Sequence, residues 1–366
     1  MSIKRRQFLH QAPITAATTA AIATSKPVDA QSLPNIRWKM ATSWSTALDT
    51  LYGAAQTVAQ RVQDMTNGRF RIDVFAGGEI VPGLQVLDAV QQGTVECGHT
   101  AASYYIGKNP ALAFATGVPF GLTAQQQNAW LIQGGGNQAI NQILADFNTI
   151  AFPAGNSGTQ MGGWFKREIN TVADLKGLKM RIPGLAGEIF TRLGVNVQVL
   201  PSGEVFLALE RGAIDAAEFT GPYDDERLGL NKAAKFYYYP SWWEGGSTLH
   251  LMVNLSAWEK LPKEYKNILQ AATLQANTEC LAKYEARNAP ALKRLIEGGT
   301  QLRPYSSEIL TTAQKITRDY YEENRIQSES FRKMYEPWKQ FQDLISSWHA
   351  VGELGYSRFA IKNQLS

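Results

Sequence analysis

The sequence contains few of the residues on which most enzymes and metalloproteins depend. Its 366 residues include only two cysteines and four histidines. Cys97 and Cys280 are too sparse for a disulfide framework, and they lack the spacing of a zinc site. We therefore expect two small buried thiols, although an oxidising compartment would also permit a disulfide between them.

Familiar catalytic and nucleotide-binding motifs are also missing. No His-Glu-x-x-His pair occurs, and residues 155–159 approach the Gly-x-Ser-x-Gly nucleophile elbow but end on Thr159 instead of glycine. Residues 134–136 are three glycines, without the spaced third glycine of a dinucleotide loop or the lysine of a phosphate loop. Carboxylates alone can act as acids or bases, so catalysis is not excluded, but no constellation of residues indicates it.

Charge and hydropathy argue against two further classes of protein. Charged residues make up 19% of the chain, and its formal net charge is +4. Most of this charge lies in residues 1–30, which leaves the remainder close to neutral, at about +1. A neutral body gives no electrostatic basis for binding nucleic acid. No later segment approaches the roughly 20 apolar residues needed to span a bilayer.

The first 30 residues are typical of an export signal. A basic start at residues 4–6 precedes a weakly apolar stretch at residues 12–23, and residues 28–30 (Val-Asp-Ala) match a cleavage site. The adjacent arginines followed by Phe8 favour a twin-arginine signal, with an ordinary Sec signal as the alternative. We expect residues 1–30 to be removed on export and the rest of the chain to be soluble.

Strand and helix patterns alternate from the start of the remaining chain. Residues 36–42 and 70–75 alternate between apolar and polar, and residues 46–65 between them have apolar residues at helical spacing. This order favours an α/β fold with a mainly parallel sheet. Residues 88–97 also align without gaps on residues 207–216, each a helix end, a glycine turn and a strand start. The repeat predicts two similar lobes, unless two common helix-to-strand connections coincide.

Two charged residues lie near the ends of predicted strands. Arg181 ends the predicted strand at residues 178–182, and Glu218 ends the predicted strand at residues 213–219. An arginine at a strand end can offer its planar fork of donors to a carboxylate. A buried carboxylate needs a partner or a cation. The alternatives are a surface salt bridge for Arg181 and a structural pairing with an arginine for Glu218.

Aromatic residues cluster in predicted loops at residues 104–105, 237–239 and 242–243. Aromatic side chains in loops often line ligand pockets, but most aromatic residues in any protein belong to its core. We expect at most half of these to contact a ligand.

Six segments of the sequence resemble the solute-binding proteins of tripartite ATP-independent periplasmic (TRAP) transporters, and the resemblance covers nearly the whole chain after residue 30. These segments are WKMATSW (38–44), GTQMGGWF (158–165), GLKMRIPG (177–184), DAAEF (215–219), GPYDD (221–225) and YYPSWWE (238–244). The segment around Arg181 is general to this family. The others are similar to the branch that binds 2-oxo and 2-hydroxy monocarboxylates with a metal ion.

The resemblance implies roles for individual residues. Arg181 would bind the substrate carboxylate, while Gln160, Glu218 and the backbone carbonyl of Phe219 would hold a cation, sodium or calcium, that also touches the substrate. Phe219 replaces the tryptophan usual in this branch and the asparagine usual in the wider family, which puts dicarboxylates and sialic acids in doubt. Glu244 is a further candidate metal ligand, and its presence would favour a divalent ion. The remaining expected ligand contacts are Trp44, Tyr104, Tyr105, Asn156 and Trp243.

The implied fold consists of two α/β lobes hinged about a cleft, as in type II-like periplasmic binding proteins, followed by long C-terminal helices. The first lobe comprises residues 31–155 and 247–293, and the second comprises residues 156–246 and 294–330. Residues 331–366 form a C-terminal helix. Its aromatic stripe either packs on its own chain or, as in some members of this branch, is exchanged between the subunits of a homodimer.

The implied function is to capture a small monocarboxylate, such as pyruvate or lactate, in the periplasm and deliver it to the membrane subunits of a TRAP transporter. A binding component of an ABC importer, a sensor protein and a secreted enzyme are the alternatives.

Overall fold

The structure is a computed structural model that describes residues 33–364. The predicted export signal at residues 1–30 lies outside the described residues. The strands are β1 (Ile36–Thr42), β2 (Phe70–Phe75), β3 (Cys97–Thr100), β4 (Thr149–Asn156), β5 (Trp164–Phe165), β6 (Lys179–Arg181), β7 (Asn196–Gln198), β8 (Ala216–Ala217), β9 (Phe236–Tyr239), β10 (Thr248–Asn254) and β11 (Gln301–Pro304). The helices are α1 (Leu51–Met65), α2 (Val86–Gln91), α3 (Ala113–Thr116), α4 (Ala124–Ile132), α5 (Gly136–Leu144), α6 (Gly184–Arg192), α7 (Val205–Glu210), α8 (Pro222–Leu228), α9 (Leu230–Ala233), α10 (Leu255–Glu259), α11 (Lys263–Glu297), α12 (Ser307–Gln327), α13 (Glu329–Val351) and α14 (Glu353–Gln364).

The described strands form two mixed sheets. The first has the order β2-β1-β3-β10-β4 and the second has the order β11-β9-β5-β8-β6-β7. In the first sheet β1 runs parallel to β2 and β3, and β10 is antiparallel to its neighbours. In the second sheet β6 runs parallel to β7 and β8, while β5 is antiparallel to β8 and β9. Two such sheets with intervening helices confirm the predicted α/β class.

The chain crosses between the two sheets in few places. The first sheet takes its strands from residues 36–156 and 248–254, and the second takes its strands from residues 164–239 and 301–304. The lobe boundaries expected from the sequence stay a prediction. The long helix α11 packs against α1 and β4 of the first region and against α8 of the second. The hinge itself stays a prediction.

The internal repeat corresponds to two equivalent pieces of structure. Helix α2 leads through Gly93 into β3, and helix α7 leads through Gly212 into β8. Both glycines have positive φ values, 72° and 77°, as tight helix-to-strand turns require. The two copies belong to different sheets, β3 beside β1 and β8 beside β6. The repeat therefore reflects two similarly built lobes.

Two element boundaries predicted from the sequence were wrong. Helix α1 begins at Leu51 rather than at residue 46, because residues 45–48 form a turn in which Leu48 N donates to Ser45 O (3.0 Å). The strand predicted at residues 213–219 is reduced to β8, residues 216–217. The chain bends after β8 because Thr220 N donates to the Asp225 side chain (3.2 Å), which turns it towards α8.

Two further expectations from the sequence concern the two cysteines and the length of apolar helices. Cys97 and Cys280 are buried and free, so both are the small buried thiols that the sequence indicated. Within residues 33–364 no helix combines the length and apolar character required to cross a membrane.

The aromatic stripe of α13 divides into two halves. Phe331, Met334, Tyr335 and Trp338 are buried, and the Phe331 and Trp338 rings pack edge-on against Phe114 at 5.3 and 5.1 Å. This half packs on its own chain. The second half of α13 and the following α14 expose large apolar side chains, namely Leu344, Trp348, Val351, Tyr356, Phe359 and Ile361.

Candidate functional site

A small cavity between the two sheets contains most of the predicted site residues. Its empty volume, which includes space open to solvent, is about 380 Å³. Both sheets and the segments that connect them contribute to its wall. The lining residues are Trp44, Leu51, Ala101, Ser103, Tyr104, Ser157, Gln160, Arg181, Pro183, Glu218, Phe219, Thr220, Glu244, Ser247 and Leu249.

Arg181 reaches the cavity from the end of β6 and is 1% exposed. Lys179, two residues earlier on the same face of the strand, is exposed, whereas Arg181 at the end of the strand is buried, so Arg181 is the charged residue of β6 that reaches the cavity. Nη1 donates to the Glu218 backbone oxygen at 2.6 Å and to Glu218 Oε2 at 2.9 Å, while Nε donates to Leu200 O at 3.3 Å. These contacts fix one edge of the guanidinium group within the cavity wall.

Glu218 and Phe219 follow β8 at the point where the chain leaves the sheet. Glu218 N donates to Arg181 O (3.0 Å), which ties this bend to the end of β6. The Arg181 guanidinium group lies over the Phe219 ring in a cation–π contact, with Cζ 5.3 Å from the ring centroid. The backbone that follows β8 therefore forms part of the cavity wall, as a metal-binding carbonyl at Phe219 would require.

Gln160 and Glu244 lie in two of the three segments that cross between the sheets, the one from β4 to β5 and the one from β9 to β10. Gln160 N donates to Glu244 O (3.2 Å), so the two crossings are joined at the cavity. The Gln160 side-chain nitrogen donates to Ser157 Oγ (3.0 Å) and also interacts with the Glu244 carboxylate. Gln160 Oε1 is buried without any hydrogen-bond donor. A buried acceptor without a donor is costly, and a cation is one partner that would satisfy it.

The cavity wall contains two acidic side chains and one basic side chain. Burial raises the pKa of Glu218 well above its usual range; Arg181 opposes this shift and Glu244 adds to it. Burial likewise raises the pKa of Glu244 to about 7, against opposing contributions from Ser247, Arg181 and Gln160. With both carboxyl groups ionised the wall would lack one positive charge, and the raised pKa values reflect the cost of that state.

The set of donors suits a hard cation better than a transition metal. Among residues 33–364 no three His, Cys, Asp or Glu side chains come together as metal ligands. The cavity instead offers two carboxylates, an amide oxygen and backbone carbonyls, which are the oxygen ligands that calcium and sodium prefer. The residues present thus fit the cation that the sequence resemblance implies.

Trp44 and Tyr104, two of the expected ligand contacts, line the cavity. Trp44 Nε1 donates to His99 Nδ1 (2.7 Å), which holds the indole in place. The Tyr104 ring lies 6.1 Å from the Trp44 ring. Burial raises the pKa of the Tyr104 hydroxyl, and the nearby Arg181 opposes that rise. Both side chains are therefore available to contact a small ligand.

The structure does not place Tyr105, Asn156 or Trp243 among the cavity-lining residues. The Tyr105 hydroxyl interacts with Thr100 Oγ1 at 2.8 Å and accepts from Leu87 N, within the first region. Asn156 Oδ1 accepts from Gly158 N (2.8 Å), so this side chain shapes the crossing segment. The Trp243 ring packs edge-on against Trp242 at 5.0 Å, within the aromatic core. Each of these residues supports the wall from behind.

Several small residues in the wall were not predicted from the sequence. Ser103, Ser157, Thr220 and Ser247 line the cavity, but none has a periodic position or an unusual composition around it. Proximity in sequence could have identified three of them, because Ser157, Thr220 and Ser247 each lie within three residues of a predicted site residue.

The fold and the cavity together define an extracytoplasmic solute-binding protein. The family model described as bacterial extracellular solute-binding protein, family 7, matches residues 40–328. The chain belongs to this family, the DctP family of TRAP solute-binding proteins, which confirms the resemblance found in the sequence.

Proteins of known structure and a curated relative support this assignment. The chain is 61% identical to the monocarboxylate 2-oxoacid-binding periplasmic protein of Nostoc sp. over 99% of this chain and 100% of that protein. A TRAP solute-binding protein from Bordetella bronchiseptica, described as a mixed-occupancy dimer with copurified calcium and picolinate, is 44% identical, with a TM-score of 0.89 over 91% of this chain and all of that chain. Proteins from Colwellia psychrerythraea (35% identical, calcium and pyruvate) and Pseudoalteromonas atlantica (34% identical, sodium and pyruvate) each have a TM-score of 0.86 over 88% of this chain and 99% of theirs.

Proposed function

We propose that this protein binds a small 2-oxo monocarboxylate together with a metal cation in the periplasm and delivers it to TRAP membrane subunits. The observation that carries the proposal is the composition of the cavity wall. Arg181 supplies one fork of donors, two carboxylates face it, and Gln160 Oε1 has no donor. A carboxylate ligand and a divalent cation together satisfy these groups, whereas either one alone leaves a buried charge uncompensated.

A charge count favours a divalent ion. Arg181 contributes one positive charge, while Glu218, Glu244 and a monocarboxylate contribute three negative charges. A calcium ion then makes the closed cavity neutral, and a sodium ion leaves one negative charge. Glu244 lies in the wall and interacts with Gln160, so we propose calcium as the resident cation, held by Gln160, Glu218, Glu244 and the Phe219 carbonyl.

The chemistry of the wall limits the substrate. Leu51, Ala101 and Leu249 form its apolar part, which accommodates a short aliphatic side chain better than a second carboxylate. Arg181 is the one cationic side chain among the lining residues. The relatives that bind pyruvate or picolinate hold acids of this kind, with an oxygen or nitrogen atom beside the carboxylate that can ligate a cation. Pyruvate and its close 2-oxo and 2-hydroxy analogues, lactate included, are the proposed ligands.

Calorimetry on the purified protein tests this function. We expect pyruvate to bind in buffer containing calcium and to lose most of its affinity after treatment with a chelator. Glutarate is the control, because its two carboxylates lack an oxygen atom at the second carbon. Binding of glutarate in preference to pyruvate, or pyruvate binding that is indifferent to calcium, sodium and chelation, would contradict the proposal.

Delivery to TRAP membrane subunits, rather than to an ABC importer or a sensor protein, follows from the family. Uptake of labelled pyruvate into vesicles that contain the small and large TRAP membrane subunits should require this protein. Uptake that instead requires ATP inside the vesicles would favour an ABC importer.

We also propose that the C-terminal helices join two copies of the chain. Six large apolar side chains on the second half of α13 and on α14 are between 55% and 79% exposed, which is unusual for a monomer. The first half of the same stripe is buried on its own chain, so α13 continues from the core of one subunit into an uncovered surface. A second copy presents an identical apolar surface, and pairing in a homodimer, with or without exchange of the helix, would cover both.

A further inference from the structure

A buried cluster of hydrogen bonds lies directly behind one side of the cavity. Asp224, in the first turn of α8, is fully buried. Its carboxylate accepts from Thr50 Oγ1 at 2.7 and 2.8 Å, from Tyr284 at 2.6 Å and from Thr220 Oγ1 at 3.3 Å. Burial raises the pKa of Asp224 to about 6, and these donors oppose the rise. The carboxylate is therefore mostly ionised at neutral pH and is a strong acceptor.

Thr50 and Asp224 come from opposite sides of the cavity. Thr50 precedes α1, and Tyr284 lies in α11, which packs against both α1 and α8. Asp224 and Thr220 belong to the region of the second sheet. The next residue after Thr50, Leu51, lines the cavity, as does Thr220. The bonds from Thr50 to Asp224 thus connect the two walls between which the ligand is held, and the bond from Tyr284 ties α11 to the same carboxylate.

Thr50 occupies a position at which its side chain usually has another role. It is the N-cap residue of α1, where a threonine oxygen ordinarily accepts from the backbone of the first turn. Here it makes no such capping bond, and its hydroxyl donates to Asp224 instead. The helix start therefore gains no capping stabilisation from Thr50, and the hydroxyl serves the contact across the cavity.

We infer that Asp224, with Thr50 and Tyr284, forms an interlobe latch that stabilises the closed, ligand-bound form. The latch rests on the proposed function, since it presumes that a ligand enters and leaves between the walls. Hydrogen bonds weaken steeply with distance and angle, so opening the cavity breaks these bonds. Closing re-forms them beside Thr220, which follows the metal-binding segment of residues 218–219. The latch thus sets how long a bound ligand stays, and it does not touch the ligand.

Stopped-flow kinetics with pyruvate and calcium test the latch. Thr50→Val keeps the shape of the side chain and removes the donor. We expect its dissociation rate to rise about tenfold, as for the loss of one hydrogen bond to a charged group, with little change in the association rate. Thr50→Ser retains the hydroxyl and should restore the wild-type rate. Thr57→Val is the matched control, because the Thr57 hydroxyl donates within α1, to Gly53 O (3.0 Å).

A second measurement separates the latch from a merely structural role. If the contact stabilises only the closed form, Thr50→Val reduces the rise in Tm produced by pyruvate and calcium while leaving the Tm of the ligand-free protein unchanged. Equal losses of Tm with and without ligand, or a wild-type dissociation rate in Thr50→Val, would overturn the latch. Wild-type protein that binds neither pyruvate nor picolinate with calcium would instead overturn the proposed function and the latch with it.

Discussion

Arg181 Nη1 lies 2.9 Å from Glu218 Oε2, and their side chains are only 1% and 3% exposed. Arg181 therefore does not form a surface salt bridge. It is the arginine partner that the buried Glu218 carboxylate requires. A buried pair of this kind contributes little net stability, because desolvation offsets the attraction. The proposed binding of a charged ligand gives this pair a role beyond stability.

Replacement of Arg181 by lysine should weaken pyruvate binding by about 2–5 kcal/mol, since a point charge cannot reproduce a planar fork of donors in a closed site. Calorimetry in calcium buffer measures the change. Arg192→Lys is the control, because Arg192 makes a two-pronged pair with Glu323 (3.1 and 2.6 Å) on the partly exposed surface of α6. Unchanged affinity in Arg181→Lys would rule out the carboxylate-binding role.

Replacement of Glu244 by glutamine should change the ion requirement. With one carboxylate fewer, the cavity reaches neutrality with a monovalent ion, so calcium affinity should fall by about 100-fold while sodium supports binding. Titrations of pyruvate in sodium-only and calcium buffers, each with and without chelator, measure the preference. Glu188→Gln, at an exposed position of α6, should behave as wild type. An unaltered calcium requirement in Glu244→Gln would place that residue outside the metal shell.

Strand periodicity identified the residues of the site that belong to regular elements. Arg181 could be predicted because Met180 and Ile182 alternate with it, so a charged side chain at the end of a short strand stood out. Glu218 was found by the same argument, although β8 proved to be only two residues long. Local alternation specifies which face a side chain occupies, but not where tertiary contacts end the strand.

The rest of the site depends on contacts that no local pattern encodes. Tyr104 and Tyr105 are adjacent in a 3₁₀ turn, residues 102–105, and their side chains diverge, one to the cavity and one to Thr100. Gln160 Oε1, the buried oxygen without a hydrogen-bond donor, lies where two crossing segments meet. Gln160 and Glu244, one from each segment, are 84 residues apart in the sequence. Thr50 lies within the helical pattern predicted at residues 46–65, and only the tertiary structure shows that its hydroxyl donates to Asp224.

The proposed homodimer leads to two expectations, one for the mass of the protein in solution and one for the substitutions that should dissociate it. Light scattering at micromolar concentration should give twice the mass of the chain, and the double variant Trp348→Glu, Phe359→Glu should give the monomer mass, because charges in a buried apolar interface are costly. Ile326→Glu is the control, an equally exposed apolar residue at the end of α12. A monomeric wild-type protein would refute the dimer.

His250 should account for part of the acid sensitivity of the fold. It lies in β10, opposite Thr100 of β3, and is fully buried. Neither ring nitrogen has a hydrogen-bond partner among the described residues. Burial, with a smaller contribution from His99, lowers the pKa of His250 to about 3. The folded protein therefore favours the neutral ring. Because the unfolded chain does not share this preference, the free energy of unfolding depends on pH.

The sign follows from comparing the two states. Unfolded, the ring takes up a proton below a pKa of about 6.5, while the folded ring does not until about 3. The contribution of His250 to the free energy of unfolding is thus fully present above pH 6.5, and it is lost as the pH falls towards the pKa of the ring in the folded protein. Between pH 7 and 5 the loss from this residue is about 2 kcal/mol. Urea unfolding at both pH values should therefore show that His250→Leu loses about 2 kcal/mol less than wild type, while His349→Leu, on the partly exposed α13, follows wild type. Parallel losses in wild type and His250→Leu would mean that the ring is protonated in the folded protein, and the burial argument would then fail.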